Sequence, residues 1–163
     1  MTMIISAHLG DCILIASDKR SMHCDLETGN MRLATDEEQK IKLWCRGAIA
    51  GSGETVFLNR IAQHFMDIQE DETQLNQMDV IYAEIEKRVL EDIPQKILSK
   101  NVIIFSMLKN QKTVLYSIPI EPFFQTFQED DVYKIHPYMN EITEWAVNVS
   151  CFNIPPDMSN LQE

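Results

Sequence analysis

The sequence predicts an α+β domain in which two layers of β-sheet carry a helical layer on the outside. Three observations predict it. Short apolar runs of strand length fill the first third of the chain, two helical stripes occupy the middle, and strand-like runs return after Pro94. The chain has 163 residues and 18.9 kDa, which fits one domain spanning 1–163, large enough to bury a core without disulfides or metal.

In chain order, Met3 to Leu9 is apolar and Gly10-Asp11 marks a turn. Cys12 to Ala16 is a continuous apolar run, as expected of a strand covered on both faces, and Asp18-Lys19-Arg20 ends it. Ser21 to Leu26 and Met31 to Thr35 flank the turn Glu27-Thr28-Gly29-Asn30 and read as a hairpin. An acidic loop, Asp36-Glu37-Glu38, follows. Lys40 to Trp44 alternates polar with apolar, and Ala48-Ile49-Ala50 is a small buried strand.

Leu58, Ile61, Phe65 and Ile68 share one helical face from about Gly53 onward. Met78, Ile81, Tyr82, Ile85, Val89 and Ile93 form a second stripe, with Pro94 as its stop. Val102 to Phe105 and Thr113 to Tyr116 flank Lys109-Asn110-Gln111-Lys112 as another hairpin. Phe123 to Phe127 continues the sheet, Val132 to Ile135 is a strand, and Glu141 to Val147 is one or two turns of helix. Residues 153–163, with Pro155-Pro156, read as a frayed tail.

With 14 basic against 25 acidic residues the net charge is −11, which argues against nucleic acid or an anionic membrane as partner. No signal peptide or membrane span is read. Cys12, Cys24, Cys45 and Cys151 contain no CxxC pair and are taken as reduced thiols of a cytoplasmic protein. No metal and no cofactor is expected. Gly47 to Thr55 glances at a phosphate loop, but it lacks the lysine such a loop needs, and its Ala-Ile-Ala reads as buried strand. His64 reads as a helix-flank residue and His8 as a cleft-lining one. Tyr133, Tyr138 and Trp145 read as small-core packing.

The order of particular residues is more specific. Thr2 stands near the chain start, an apolar strand ends in Asp18, a Lys-Ile step follows at Lys40-Ile41, and Ala50-Gly51 opens an amphipathic helix. This order resembles proteasome β subunits and the related bacterial peptidase HslV, which are N-terminal-nucleophile (Ntn) hydrolases. The resemblance covers roughly Thr2 to Ile93 and implies an αββα four-layer sandwich, here shortened at its C-terminus. It implies that Thr2, freed of Met1, is nucleophile and base through its α-amine. It further implies Lys40 as the pKa-lowering cation, with Lys42 as the competing choice. Asp18 is that cation's partner, and the Gly51 amide is the oxyanion donor.

The sequence also departs from the family. Active members carry a Gly-Ser-Gly turn after a later strand; the corresponding place is His136-Pro137-Tyr138, without a serine. About 25 residues follow Tyr138, too few for two further helices and their strands. Two functions are therefore expected to compete: a threonine hydrolase of peptide or other amide bonds, and an inactive relative serving assembly or binding. A sandwich short of helix leaves apolar sheet uncovered, so a homo-oligomer, ring or dimer, is expected.

Overall fold

A computed structural model describes residues 2–68, 77–125 and 139–152 of the chain. Its fold is mixed α+β. Strand β1 (Thr2–His8) lies between β2 (Ile13–Ser17) and β10 (Val147–Phe152) in a three-stranded sheet. A second sheet has the order β5 (Lys42–Trp44), β6 (Gly47–Ser52), β7 (Val102–Lys109), β8 (Lys112–Pro119), β9 (Asn140–Glu141). Strands β3 (Ser21–Cys24) and β4 (Met31–Thr35) form a separate hairpin, and every pairing is antiparallel.

Alternation along β7 divides the core in two. Ile104 points to the first sheet and packs with Ile4, Ala50 and Leu115. Ile103 and Phe105 point the other way, towards helices α1 (Thr55–Asp67) and α2 (Gln77–Leu90). There Phe57, Ile61 and Phe65 meet Ile81 and Ile85, joined by Leu98 of α3 (Gln95–Leu98) and Phe123 of α4 (Glu121–Gln125). Rings run through this layer: Phe65 lies 5.4 Å from Trp44, edge to face, and Phe105 stacks on Tyr116 at 5.1 Å. Among the described residues the helices lie on one side only, giving helix, sheet, sheet.

The outer face of the three-stranded sheet is bare and apolar. Met3, Leu14, Val147 and Val149 are exposed on it, with Ile5 between Ala16 and Val149. Strand β2 is thus covered on one face, not both: Ile13 and Ile15 turn inward while Leu14 and Ala16 meet solvent. No helix among the described residues is long and apolar enough to cross a membrane.

Several other expectations are corrected. Helix α2 ends at Leu90, before Pro94 can act. Asp92 adopts φ 62°, and the Asp92 and Ile93 N–H groups close on Val89 and Arg88 carbonyls in a Schellman pattern. Pro94 instead opens α3. Within α2, Val89 is exposed, whereas the charged Glu84 and Arg88 are buried, because Arg60 of α1 and its N-cap Glu54 pair with them. Phe123 belongs to a short helix, where it seats under Tyr82 at 4.7 Å. Residues 141–147 form strand end, turn and strand start rather than helix. Trp145 there takes φ 65° and lies exposed against Gly10, not in a core. His8 lines neither of the two cavities beside Thr2. It is buried between the sheets and donates from Nε2 to the Thr113 carbonyl at 3.0 Å. His64 is exposed with its ring edge-on to Phe65. All four cysteines are free. The Val132–Ile135 strand, Tyr133, the 136–138 turn and the 153–163 tail lie outside the described residues.

Candidate active site

Thr2 sits at the open end of β1, opposite Phe152 of β10; on the other side β2 stops at Ser17, opposite Ile4. The pleat turns Thr2 to the same face as Ile4, Ser6 and His8, the face that looks towards the second sheet. Asp18 follows β2 directly and clasps the residue after Thr2. The Met3 N–H donates to Asp18 Oδ1 at 2.7 Å, and the Asp18 N–H donates to the Met3 carbonyl at 3.2 Å.

Lys40 completes the corner. Its ammonium donates to Asp18 Oδ2 at 2.9 Å, to the Arg20 carbonyl at 2.6 Å and to Thr2 Oγ1 at 3.2 Å. These are the three donors an ammonium has. Its side chain is only 9% exposed, so the charge sits where it is weakly screened. Burial is the largest single influence on Asp18 and opposes its ionisation. The Met3 N–H, the hydrogen bond and charge of Lys40, and the Arg20 N–H together outweigh it, and hold the carboxyl below its ordinary 3.8. The cation that reaches Thr2 is thus Lys40; Lys42 lies in β5 and lines the small cavity beside it.

Gly51 is buried at the end of β6, on the wall of that cavity with Thr2 and Lys40. Two bonds fix the direction of its amide. The Leu108 N–H reaches the Arg46 carbonyl, and the Ala48 N–H reaches Ser106 Oγ, so even positions of this segment turn their polar groups to β7. Alternation turns those of Gly51 to the opposite edge, which β5 leaves open past Lys42, the partner of Ile49. A Cβ at Gly51 would lie 2.4 Å from Leu58 Cδ2 of α1 and 3.1 Å from the Val102 carbonyl oxygen, so glycine lets the helix seat closely without moving that leucine.

Sequence reasoning missed the residues that hold this strand-to-helix turn. Gly53 has φ 145°, and a Cβ there would lie 1.9 Å from Asn101 Oδ1. Asn101 is fully buried; it accepts the Glu54 N–H at 2.6 Å and donates to the Leu98 carbonyl at 2.7 Å. Glu54 caps α1, accepting from Val56 and Phe57, and pairs with Arg88. Ser52 and Ser150 bond hydroxyl to hydroxyl, tying β6 to β10. The pattern Gly-Ser-Gly-Glu signals the turn, but nothing local in the sequence points to Asn101 or Ser150 as partners.

Two cavities open beside Thr2. The smaller, of about 30 Å³, lies between Thr2, Lys40, Gly51 and α1 and has room for a water molecule or two. The larger, of about 420 Å³, lies between the β3–β4 hairpin and the start of α1. Nucleophile-type hydroxyl, buried cation, carboxylate and an outward-turned glycine amide therefore meet at one end of the sheet stack.

No protein-family profile and no curated protein matches the chain. Solved structures do. BPH of Thiobacillus denitrificans, in complex with epoxomicin, superposes with a TM-score of 0.51 at 13% identity, over 91% of this chain and 71% of that one. The Gly-1 mutant of Anbu from Hyphomicrobium sp. strain MC1 gives 0.48 at 18% identity, over 88% of this chain and 56% of that one. At 13% identity the likeness to BPH is one of fold alone, and the fold it supports is proteasome-like.

Proposed function

We propose that the chain is a proteasome-like threonine hydrolase of peptide or other amide bonds, active once Met1 has been removed. The observation that carries this reading is the 3.2 Å contact between the Lys40 ammonium and Thr2 Oγ1, made while Lys40 is also held by Asp18.

The chemistry follows from the groups present. The freed α-amine, with an ordinary pKa near ~8, takes the hydroxyl proton. The oxygen attacks the substrate carbonyl while Lys40 stays charged and stabilises the developing alkoxide. The oxyanion of the tetrahedral intermediate receives the Gly51 N–H. Collapse breaks the C–N bond, and the ammonium returns its proton to the leaving amine. Water, deprotonated by the same amine, then hydrolyses the ester and restores Thr2. The intermediate bears one negative charge throughout, and Lys40 is the cation that faces it.

The test is covalent labelling. Protein lacking Met1 is exposed to epoxomicin, the ligand of the BPH structure, and its intact mass is read. A stoichiometric adduct that Thr2→Ala abolishes, with unfolding unchanged, supports the reading; an unlabelled Thr2 with a free amine overturns it.

A second reading, an inactive relative that serves assembly, is favoured by the bare outer face of the three-stranded sheet. The two readings are compatible in one respect. A homo-oligomer packed through that face, which covers the exposed apolar strands, fits both. Sedimentation of wild type against Val149→Lys tests it.

A further inference from the structure

We infer that the larger cleft beside Thr2 binds a lysine or arginine side chain of the substrate, next to the scissile carbonyl, and that Glu38 is the carboxylate that selects it. This inference rests on Thr2 as the nucleophile.

The cleft has about 420 Å³, in the range of small-ligand sites. Its walls are largely apolar: Met22, Leu26 and Met31 from the hairpin face Val56, Ile93 and Ile97. No lysine or arginine lines it. Two carboxylates do, and they differ. Glu54 is committed, with both oxygens used by the N–H groups of Val56 and Phe57 and by Arg88. Glu38 takes part in none of the ion pairs found among the described residues. Its backbone is pinned, since its N–H bonds the Lys19 carbonyl at 2.9 Å. Glu38 also lines the smaller cavity, so it borders both spaces next to Thr2. Lys42 lines only the smaller one, which directs a substrate cation to the larger.

This is the environment that an amphipathic cation needs. The methylene stem of lysine or arginine lies along apolar wall while its charged end meets a carboxylate. Low-dielectric walls strengthen that pairing relative to water. The chain's net charge of −11 favours approach of a cationic substrate rather than an anionic one.

The experiment uses two peptide epoxyketones that differ only in lysine or norleucine beside the electrophile, applied to protein lacking Met1. The lysine probe is expected to label Thr2 about tenfold faster, the gain of one charge-assisted hydrogen bond. Glu38→Gln is expected to bring the ratio to about one, and Glu38→Lys to reverse it. Raising the salt concentration on wild-type protein should narrow the ratio, a readout that needs no variant to fold. Equal labelling by both probes at every salt concentration overturns the inference and leaves Thr2 as nucleophile. If neither probe labels, the nucleophile reading fails. The cleft is then tested by anisotropy of fluorescein-tagged lysine and norleucine peptide amides on Thr2→Ala protein. About tenfold tighter binding of the lysine peptide supports it, and equal affinity overturns it.

Discussion

Lys40 and Arg88 are both buried cations, 9% and 8% exposed at their side chains, yet they are held in opposite ways. Arg88 donates to two carboxylates, Glu54 and Glu91, and Glu91 also accepts from Arg60, which pairs in turn with Glu84. Its charge is fully answered by groups that have no further chemistry. Lys40 has one carboxylate, and its other two donors go to a carbonyl and to the hydroxyl of Thr2. In the proposed reaction that hydroxyl loses its proton, and Lys40 is the cation beside the charge that would form. The same physical cost, an ammonium or guanidinium taken out of water, fastens two helices in one region and leaves field available for chemistry in the other.

The largest expected effect breaks this contrast at its reactive end. Thr2→Ala should remove labelling and turnover altogether, and Lys40→Met should slow labelling by about 10²- to 10³-fold, the usual loss when one stabiliser of a developing anion is removed. Second-order rates of epoxyketone labelling measure both. A Lys40→Met rate within a few-fold of wild type would put the contact with Thr2 outside the chemistry.

Arg88→Met should do the reverse. It strands Glu54 at the α1 terminus and should cost about 3 kcal/mol of stability, the scale of a broken buried pair. Labelling by the surviving folded protein should persist. Urea unfolding of the two variants side by side decides the matter, since equal destabilisation by Lys40→Met and Arg88→Met would erase the distinction between the two regions.

These two regions were also unequally legible in the sequence. Thr2, Asp18 and Lys40 are separated along the chain: Thr2 opens β1, Asp18 follows β2 and Lys40 precedes β5, and it is the resemblance of their order to the proteasome family that groups them in the sequence. Lys42 remained an alternative because the hairpin from Ser21 to Thr35 makes the count from Asp18 uncertain, and only the fold shows which lysine turns inward. The network around Arg88 was not legible. Helical periodicity assigns Val89 to the buried stripe, and it cannot show that Glu54 and Arg60 on α1 make burial of the neighbouring charged positions acceptable. The sheet layers were legible from the order of the runs, strands, then two helices, then strands again. The bare outer face was visible only as a shortage of residues after Tyr138, while an unbroken apolar run made β2 read as covered twice. Asn101 stayed hidden because its partners, Gly53 and Glu54, are distant in sequence.

The outer face supplies the next contrast, between the two sides of one strand. Ile4 is fully buried between the sheets while Met3 and Val149 are about half exposed outside. Val149→Lys should therefore cost little in the monomer, about 0.5 kcal/mol or less. It should lower the self-association constant at least tenfold if copies meet through this face. Sedimentation velocity over a concentration series reads the shift, and an unchanged profile would leave the face without that role.

The smallest effect concerns acid, and it sharpens the comparison because Asp18 is the sole carboxylate that Lys40 meets among the described residues. In the folded protein the Asp18 carboxyl is held below its ordinary 3.8, so folding favours its ionised form. The stability this linkage contributes is in place above about pH 3.8 and is lost as pH falls through the depressed value, because the unfolded chain binds the proton first. Asp18→Asn removes the titration. The variant should be less stable than wild type at neutral pH, and the gap between the two melting temperatures should close as acid is added below about pH 4. Parallel melting curves across that range would mean that the carboxylate positions Lys40 without drawing stability from its charge. In that case the bond from the Met3 N–H to Oδ1, which an asparagine oxygen also accepts, would be what holds the corner together.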